Sequence, residues 1–321
     1  MDGDLRPAPS LAFVIPCYNE EDVLSHLLER LAEVETELIA SQRISGPASI
    51  VLVDDGSQDR TWELIEAASD GGKITGIKLS SNHGHQAALL AGLMTATADV
   101  LISMDADLQD DPAVTPQMID AYRRGAEVVY GIRSSRENDT RFKRNTARTY
   151  YSILESMGVD IVPDHADFRL MSRKAVESLR EFGEVNLFLR GIVKKLGFQS
   201  EVVEYERPER FAGESKYPIR KMLAFAVEGV TSFSVQPLRY VTWIGFSLAA
   251  FSFLYSCYAV IARFASMTVP GWASTIVPIF MLGGIQLIAL GVIGEYLGKI
   301  YLEVKRRPQF IVDKIVGGDK S

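Results

Sequence analysis

Cysteine is scarce in this chain of 321 residues, which contains only Cys17 and Cys257. Cys17 falls in a predicted strand and Cys257 in a long apolar run, so the two offer neither a disulfide framework nor a cluster of metal ligands. We interpret both as small apolar residues in buried positions.

The sequence also has fewer basic than acidic residues. The sequence has 34 Lys and Arg against 41 Asp and Glu, which gives a formal net charge of −7. This balance argues against a general nucleic-acid binder, although basic residues cluster near the apolar C-terminal third. The acidic start MDGDLRPAPS leads into only six apolar residues, so we expect no signal peptide and a first domain that stays in the cytoplasm.

Charged residues are missing altogether from residues 240–262 and residues 264–294. Each stretch is longer than the roughly 20 apolar residues that cross a bilayer. The pattern predicts a hairpin of two transmembrane helices within residues 237–303, at about 238–262 and 273–298.

The charges around this hairpin predict its orientation. The connecting loop RFASMTVPGW carries one positive charge, whereas Arg239 precedes the first span and KRRP follows the second. Because cytoplasmic loops carry the excess of Lys and Arg, both ends of the hairpin are expected to face the cytoplasm. The chain is then a multi-pass protein of the inner (plasma) membrane, and residues 304–321 form a cytoplasmic tail.

Short apolar runs alternate with amphipathic segments in residues 1–216, which predicts an α/β domain with a mainly parallel sheet covered by helices. The predicted strands are LAFVIP, SIVLVDD, ITGIKL, DVLISMD and AEVVYG. Asn19 and Asp59 are placed to cap the first and second helices. In such a sheet the ligand pocket lies outside the carboxyl ends of the strands.

Three polar clusters follow predicted strands: PCYNEE, DDGSQDRT and DADLQDD. They meet in space if the sheet is parallel. In the second cluster Gly56 permits a tight turn, and Asp54 and Asp55 can accept hydrogen bonds from a base or a ribose. Taken alone, this cluster is equally well a glycine-containing turn with a helix cap.

The third cluster places four aspartates within LISMDADLQDDP. A turn at a strand end can aim Asp105 and Asp107 at one cation, and Mg²⁺ or Mn²⁺ prefers oxygen ligands that it shares with substrate phosphates. A solvated acidic loop is the alternative for an isolated pair. Asp110 and Asp111 are expected instead to begin a helix at Pro112, where negative charge suits the helix dipole.

The ordered set PCYNE, DDGSQDRT and DADLQD resembles the family 2 inverting glycosyltransferases with the GT-A (Rossmann-like) fold. The later segments ADFRLMSRKAV, NLFLRGI and ERFAGESKY, followed by the two apolar stretches, narrow the resemblance to the polyprenyl-phosphate glycosyltransferases. The chain looks most like the bactoprenol (undecaprenyl-phosphate) glucosyltransferases and is similar to the dolichol-phosphate mannose synthases.

This resemblance implies a nucleotide-sugar donor and a bound Mg²⁺ or Mn²⁺ ion, which neutralises the donor diphosphate and stabilises it as a leaving group. The implied metal ligands are Asp105, Asp107 and Gln109. The residues implied to line the nucleotide-sugar pocket are Pro16, Tyr18, Glu20, Asp54, Asp55, Asp105 and Asp107.

A polyprenyl phosphate is already anionic at neutral pH, so its oxygen can attack the anomeric carbon without a strong general base. The site must instead supply in-line positioning and positive charge. The candidates for the acceptor phosphate are Arg133, Arg136, Arg207, Arg210 and Lys216. Arg220 and Lys221 are equally well ordinary basic residues beside a membrane.

The catalytic candidates by resemblance are Asp167, Arg210 and Lys216. Asp167 either orients the acceptor, contacts sugar hydroxyls or pairs with Arg169, and a purely structural Asp–Arg pair is the alternative. His83 and His85 stand where the family more often has an aromatic or basic residue. We expect these two histidines to cap or pack rather than to catalyse.

Residues 217–236 have apolar residues at helical spacing and charges early on, which favours an amphipathic helix in the membrane interface. A core helix of the soluble domain is the alternative. The position directly before the first span favours the interface, where the active site would be within reach of a lipid phosphate.

Together these observations predict inverting transfer of a hexose to undecaprenyl phosphate at the cytoplasmic membrane face, with UDP-glucose as the expected donor. The product would serve cell-envelope glycan or lipid modification. A GDP-mannose-dependent polyprenyl-phosphate mannose synthase and a non-catalytic membrane scaffold are the alternatives. A processive polysaccharide synthase would need a Gln-x-x-Arg-Trp motif and more spans than this sequence has. Small residues in GGIQLIALGVIG suit helix packing within one subunit or in a homo-oligomer.

Overall fold

The structure is a computed structural model that describes residues 5–133, 165–183, 189–205, 234–264 and 272–318. These residues fall into two compact units. The first contains the described residues up to 205 together with 307–318, and the second contains 234–264 and 272–306. The chain therefore leaves the first unit and returns to it near its C-terminal end.

One eight-stranded sheet forms the centre of the first unit. In chain order its strands are β1 (Leu11–Cys17), β2 (Ser49–Asp54), β3 (Ile74–Leu79), β4 (Val100–Ser103), β5 (Val128–Arg133), β6 (His165–Ser172), β7 (Ser200–Tyr205) and β8 (Val312–Gly317). They lie side by side in the order β7-β5-β6-β4-β1-β2-β3-β8. The pairs β4–β1, β1–β2, β2–β3 and β5–β7 are parallel, and the other three pairs are antiparallel. The predicted α/β domain with a mainly parallel sheet is confirmed.

Helices cover both faces of the sheet. They are α1 (Leu24–Ala40), α2 (Thr61–Ala68), α3 (His85–Thr95), α4 (Thr115–Arg123), α5 (Arg173–Arg180) and α6 (Leu189–Lys195). All seven residues of β1 are buried. On one face Phe13 shares a core with Leu27 of α1, and on the other α3 packs so closely that a Cβ at Gly92 would lie 2.4 Å from Val14. Such two-sided cover explains the continuous apolar runs that predicted these strands.

Three strands were not expected from the sequence: β6, β7 and β8. β6 runs antiparallel between β4 and β5, and β8 runs antiparallel along β3 at the edge of the sheet. Because β8 lies within residues 304–321, the predicted tail contains a strand of the catalytic sheet. Gly317 ends this strand with φ +69°, and a Cβ there would lie 2.1 Å from the carbonyl oxygen of Ile74, so glycine is required.

Of the two residues predicted to cap helices, Asp59 lies at the start of its helix and Asn19 does not. Asp59 accepts a hydrogen bond from the backbone N–H of Thr61, the first residue of α2, at 3.0 Å. Helix α1 begins only at Leu24, and Asn19 accepts a hydrogen bond from the backbone N–H of Gln58 at 2.8 Å. The prediction that Asn19 caps the first helix is therefore wrong, because its side chain joins the loops that follow β1 and β2.

The second unit consists of two long helices, α7 (Gln236–Phe264) and α8 (Trp272–Lys305). The first apolar stretch and the described part of the second are therefore helical. Among the described residues, one segment, Met281–Lys305 in α8, is long and apolar enough to cross a membrane, which supports membrane association. The predicted interfacial helix lies mostly outside the described residues, and so does the loop between the spans, of which only residues 263, 264 and 272 are described.

Candidate functional site

The site lies where three neighbouring parallel strands end. β1 lies between β4 and β2. The loops after β2 and β4 each form a hydrogen bond with β1: the Asp55 N–H donates to the Cys17 carbonyl at 2.9 Å, and the Met104 N–H donates to the Val14 carbonyl at 3.2 Å. The three polar clusters therefore converge at one edge of the sheet, where pockets of α/β folds form.

A cavity of about 220 Å³ opens between these loops. Its lining residues are Pro16, Cys17, Tyr18, Glu20, Asp55, His85, Asp105, Ala106 and Asp107. Six of the seven residues expected to line a nucleotide-sugar pocket are among them. The seventh, Asp54, is fully buried, and its Oδ1 accepts a hydrogen bond from the Ser57 N–H at 3.2 Å within the turn.

Carboxylates dominate this cavity and repel one another. Burial and the neighbouring Asp107 and Asp105 raise the pKa of Glu20 to about 7. Burial also raises the pKa of Asp105 to about 6, with His85 opposing the shift and Asp167 adding to it. Four acidic side chains, those of Glu20, Asp55, Asp105 and Asp107, thus face a small space, and the described residues place no Lys or Arg in its wall.

Asp55 has a structural task beside the cavity. Its two carboxylate oxygens accept the backbone N–H groups of His83 at 2.7 Å and Gly84 at 2.9 Å. Burial raises the pKa of Asp55, and these two bonds counteract that effect. Gly84 has φ +91° and turns the chain directly into α3, so the clamp by Asp55 determines where the first residue of that helix, His85, points.

The remaining aspartates of LISMDADLQDDP divide between the site and the fold. Asp110 is buried and accepts the hydroxyl of Tyr205. Asp111 accepts the Ala113 N–H at 3.0 Å and caps a short helical turn that begins at Pro112. Both aspartates are structural, but only Asp111 begins the helical turn as predicted, because Asp110 is bound by Tyr205 instead.

Asp167 lies in β6, directly behind the cavity. Its Oδ1 is 2.5 Å from Nη2 of the buried Arg169, and its backbone carbonyl accepts the Ser103 hydroxyl of β4 at 2.6 Å. The structure therefore contains the Asp–Arg pair considered from the sequence. Its other oxygen, Oδ2, lies 3.4 Å from Nε2 of His85, so Asp167 also contacts a residue of the cavity wall.

Three lining residues were not expected from the sequence, namely Cys17, His85 and Ala106, and among them His85 contacts a cavity carboxylate. Its Nε2 lies 3.3 Å from Asp105 Oδ1 in addition to the contact with Asp167. His83, by contrast, has Nε2 within 3.4 Å of the Ser80 and Ser81 hydroxyls, as expected for a surface histidine. The signal that separates the two is Gly84, because a glycine before a helix start frees the chain to aim the next side chain inwards.

Asp105 and Asp107, which form a DxD motif, offer a divalent cation one suitable buried oxygen. Asp105 Oδ1 is buried and accepts no well-aligned hydrogen bond, and an oxygen in that state is a suitable ligand for a hard cation. Within the described part of the chain, no three His, Cys, Asp or Glu side chains already converge as a metal site. Mg²⁺ or Mn²⁺ takes one or two carboxylates and completes its shell with substrate phosphates and water, so Asp105 and Asp107 could supply the protein carboxylates.

Gln109 follows in the same loop, where its backbone N–H donates to Asp107 Oδ1 at 3.1 Å. The other expected site residues cannot be located. Arg133 ends β5 and only its backbone is described, while Arg136, Arg207, Arg210 and Lys216 lie outside the described residues.

Comparison with known proteins assigns the family. The model of glycosyl transferase family 2 matches residues 12–180, more than half of the chain. An uncharacterised glycosyltransferase of Bacillus subtilis, YkoT, is 49% identical over 95% of this chain and 91% of its own. The bactoprenol glucosyl transferase of Shigella phage SfII is 40% identical over 95% of this chain and 97% of its own.

Among solved structures, mannosyl-3-phosphoglycerate synthase from Rubrobacter xylanophilus superposes with a TM-score of 0.49 and 17% sequence identity. The superposition covers 72% of this chain and 74% of that protein. The family match covers the strands and loops that build the cavity, and the curated relatives extend over nearly the whole chain. The chain accordingly belongs to glycosyl transferase family 2 and is a glycosyltransferase with a GT-A-like fold.

Proposed function

We propose that this enzyme transfers glucose from UDP-glucose to undecaprenyl phosphate at the cytoplasmic face of the membrane, with inversion at the anomeric carbon. The proposal rests on the four-carboxylate cavity at the ends of β1, β2 and β4. It is supported by relatives named bactoprenol glucosyl transferase that are about 40% identical over more than nine tenths of both chains.

The donor would occupy the cavity, with Asp105, Asp107 and Gln109 holding a Mg²⁺ or Mn²⁺ ion. When bound, that ion neutralises the diphosphate and makes the nucleoside diphosphate a better leaving group. Pro16, Tyr18, Glu20 and Asp55 form the rest of the wall around the nucleotide. Asp54 would act from behind the wall, since it shapes the turn that carries Asp55.

Asp167 is proposed to orient groups rather than to abstract a proton. Both of its oxygens already face donors, Arg169 on one side and His85 on the other. The acceptor phosphate is anionic at neutral pH, so its oxygen can form the new bond to the anomeric carbon as the bond to the diphosphate breaks. No general base has to be found among the described residues for this step.

The acceptor phosphate needs positive charge, and the described cavity wall offers no Lys or Arg. We assign that task to Arg133, Arg136, Arg207, Arg210 and Lys216. Arg210 and Lys216 would lie nearest the transferred group, because they belong to ERFAGESKY directly before the proposed interfacial helix at 217–236.

The membrane anchor is proposed to cross the bilayer twice, and the sheet supplies the reason. β7 ends at Tyr205 and β8 begins at Val312, and both are strands of one sheet. One sheet lies on one side of a membrane, which favours an even number of crossings by the chain between β7 and β8. Since Met281–Lys305 is suited to cross once, we propose a second crossing.

Helix α7 is the candidate for that second crossing. Its 29 residues extend about 44 Å at 1.5 Å per residue, and no charged residue lies between Arg239 and Arg263. Trp243, Phe246 and Phe253 are each about 70% exposed. A helix that presents so many large apolar side chains is stable in lipid rather than in water.

The proposed function is tested with purified enzyme, undecaprenyl phosphate, Mg²⁺ and a panel of UDP- and GDP-sugars. We expect release of UDP from UDP-glucose only when the lipid is present, with a β-linked lipid product from the α-linked donor. Turnover confined to GDP-mannose would make the enzyme a mannose synthase instead. Absence of turnover with every sugar would favour the non-catalytic scaffold.

A further inference from the structure

A chain of polar contacts runs from the buried core to the cavity through His85. Arg169, which is 1% exposed, contacts Asp167, Asp167 contacts His85, and His85 contacts Asp105. Exposure rises along this chain: the Asp167 side chain is 9% exposed and that of His85 is 43% exposed. His85 is therefore the cavity-facing end of an arrangement anchored in the core.

The position of His85 is held from several sides. The Asp55 carboxylate clamps the Gly84 N–H immediately before it. The next residue, Gln86, accepts the Leu189 N–H through its side chain at 2.8 Å, and the Leu189 carbonyl accepts Nη1 of Arg169 at 3.5 Å. The start of α3, the start of α6 and β6 thus form a closed ring of contacts around the Asp167–His85 pair.

The ring of His85 has a defined donor in this arrangement. Nε2 faces two carboxylate oxygens, which are acceptors only, so Nε2 carries the hydrogen. Nε2 carries a hydrogen in this arrangement whether the imidazole ring is neutral or charged. Without that N–H, Asp105 and Asp167 would face each other as like charges, and Asp105 would lose its link to the Asp167–Arg169 pair.

We propose that His85 is a positioning residue of the transfer reaction, which holds Asp105 of the DxD motif in register with the Asp167–Arg169 pair. The inference rests on the proposed function for the role of Asp105. His85 is not proposed as a metal ligand: it contributes an N–H donor, and the Asp105 oxygens remain the cation's ligands.

The kinetic test compares His85→Leu with His85→Gln, because the glutamine amide can place an N–H near the position of Nε2. We expect kcat of His85→Leu to fall roughly tenfold to hundredfold, which is the usual cost of losing a hydrogen bond to a charged group. His85→Gln should recover most of it. His26→Leu is the matched control, since His26 lies on the outer face of α1 beside Glu29.

A double-mutant cycle asks whether His85 acts through Asp167. If it does, adding His85→Leu to Asp167→Asn should lower kcat far less than His85→Leu lowers it alone. Fully additive losses would overturn the proposal. Equal losses for His85→Leu and His85→Gln would overturn it too, since they would mean that the N–H is not what matters.

Two measurements on the detergent-solubilised protein separate this inference from the proposed function. The chain has four histidines, so ¹⁵N-histidine NMR can follow the Nε2–H of His85, identified by its loss in His85→Gln. We expect that signal to shift in Asp167→Asn while the His26 signal does not, even if the wild-type enzyme proves inactive on every sugar. Mn²⁺ affinity by electron paramagnetic resonance should fall about tenfold in His85→Leu and recover in His85→Gln, because His85 orients the ligand Asp105 without being a ligand itself. An unmoved His85 signal, or wild-type Mn²⁺ affinity in His85→Leu, would refute a positioning role.

Discussion

At the scale of single residues, four aspartates of one short sequence stretch have different surroundings. Asp105 and Asp107 line the cavity, whereas Asp110 is bound by Tyr205 and Asp111 caps a helical turn. The difference arises at the end of β4, where the chain turns and Leu108 adopts φ +52°. Asp105 and Asp107, before that turn, face the cavity, whereas Asp110 and Asp111, after it, face the core and the next helical turn.

The first residue-scale prediction concerns Asp107→Asn. The substitution keeps the side-chain shape but removes charge at the proposed cation, so kcat should fall at least about a hundredfold while the protein stays folded. Turnover measured across a Mg²⁺ titration and thermal unfolding together check this. Asp111→Asn is the matched control, because it lies in the same stretch but caps a turn, and it should affect stability more than turnover. Full activity of Asp107→Asn, or of wild type in excess chelator, would refute the metal assignment.

At the scale of secondary-structure elements, β8 contacts the segment that leads into the loops of the site. The Ser80 N–H donates to the Ile311 carbonyl at 2.9 Å just before β8 begins. Ser80 follows β3 and precedes the loop whose His83 and Gly84 N–H groups are held by Asp55. Lys314 of β8 also pairs with Glu66 of α2 at 2.5 Å. The edge strand thus secures the segment that delivers His85 to the cavity.

The element-scale prediction is a comparison of Gly317→Ala with Gly72→Ala. Both glycines have positive φ, but a Cβ at Gly317 meets backbone oxygen at 2.1 Å, whereas a Cβ at Gly72 has nothing within 4 Å. Both variants should lose about 1 kcal/mol to backbone strain, and Gly317→Ala should lose about 1–3 kcal/mol more to the clash. Hydrogen–deuterium exchange of residues 312–317 should accelerate in Gly317→Ala alone. Equal exchange in the two variants would show that β8 does not depend on close contact with β3.

At the scale of the whole molecule, the return of the chain to its first sheet constrains the membrane anchor. Among the described helices, only the segment Met281–Lys305 is long and apolar enough to cross a membrane. The properties of the two helices alone therefore do not give the number of crossings. The pairing of β8 with β3 is the observation behind the proposed two-span anchor, whose two ends would lie on one side of the membrane. The positive charges at Arg239 and in KRRP favour the cytoplasmic side.

The corresponding prediction concerns accessibility from outside the cell. In a background without Cys17 and Cys257, a cysteine at Ser266 should react with an impermeant maleimide on intact cells, and a cysteine at Lys320 should react only after lysis. Labelling of both positions on intact cells, or of Lys320 alone, would contradict the two-span arrangement.

The sequence alone determined the parts that depend on local pattern. Continuous apolar runs predicted β1 to β5 because strands covered on both faces cannot alternate, and uncharged stretches predicted α7 and α8 because lipid excludes charge. The polar clusters after β1, β2 and β4 predicted the cavity, since parallel strands end at one edge. Asp110 and Asp111 were recognised as structural from the proline that follows them.

Tertiary structure decided what depends on distant partners. β6, β7 and β8 have mixed polar and apolar sequences, and their strand conformation depends on pairing with β4, β5 and β3. The pairing of β8 with β3 joins residues more than 200 positions apart, which no local pattern encodes. His85 is a cavity residue only because Asp55 holds the preceding loop and Asp167 arrives from β6. Those contacts, rather than the residue type, place an imidazole between two carboxylates.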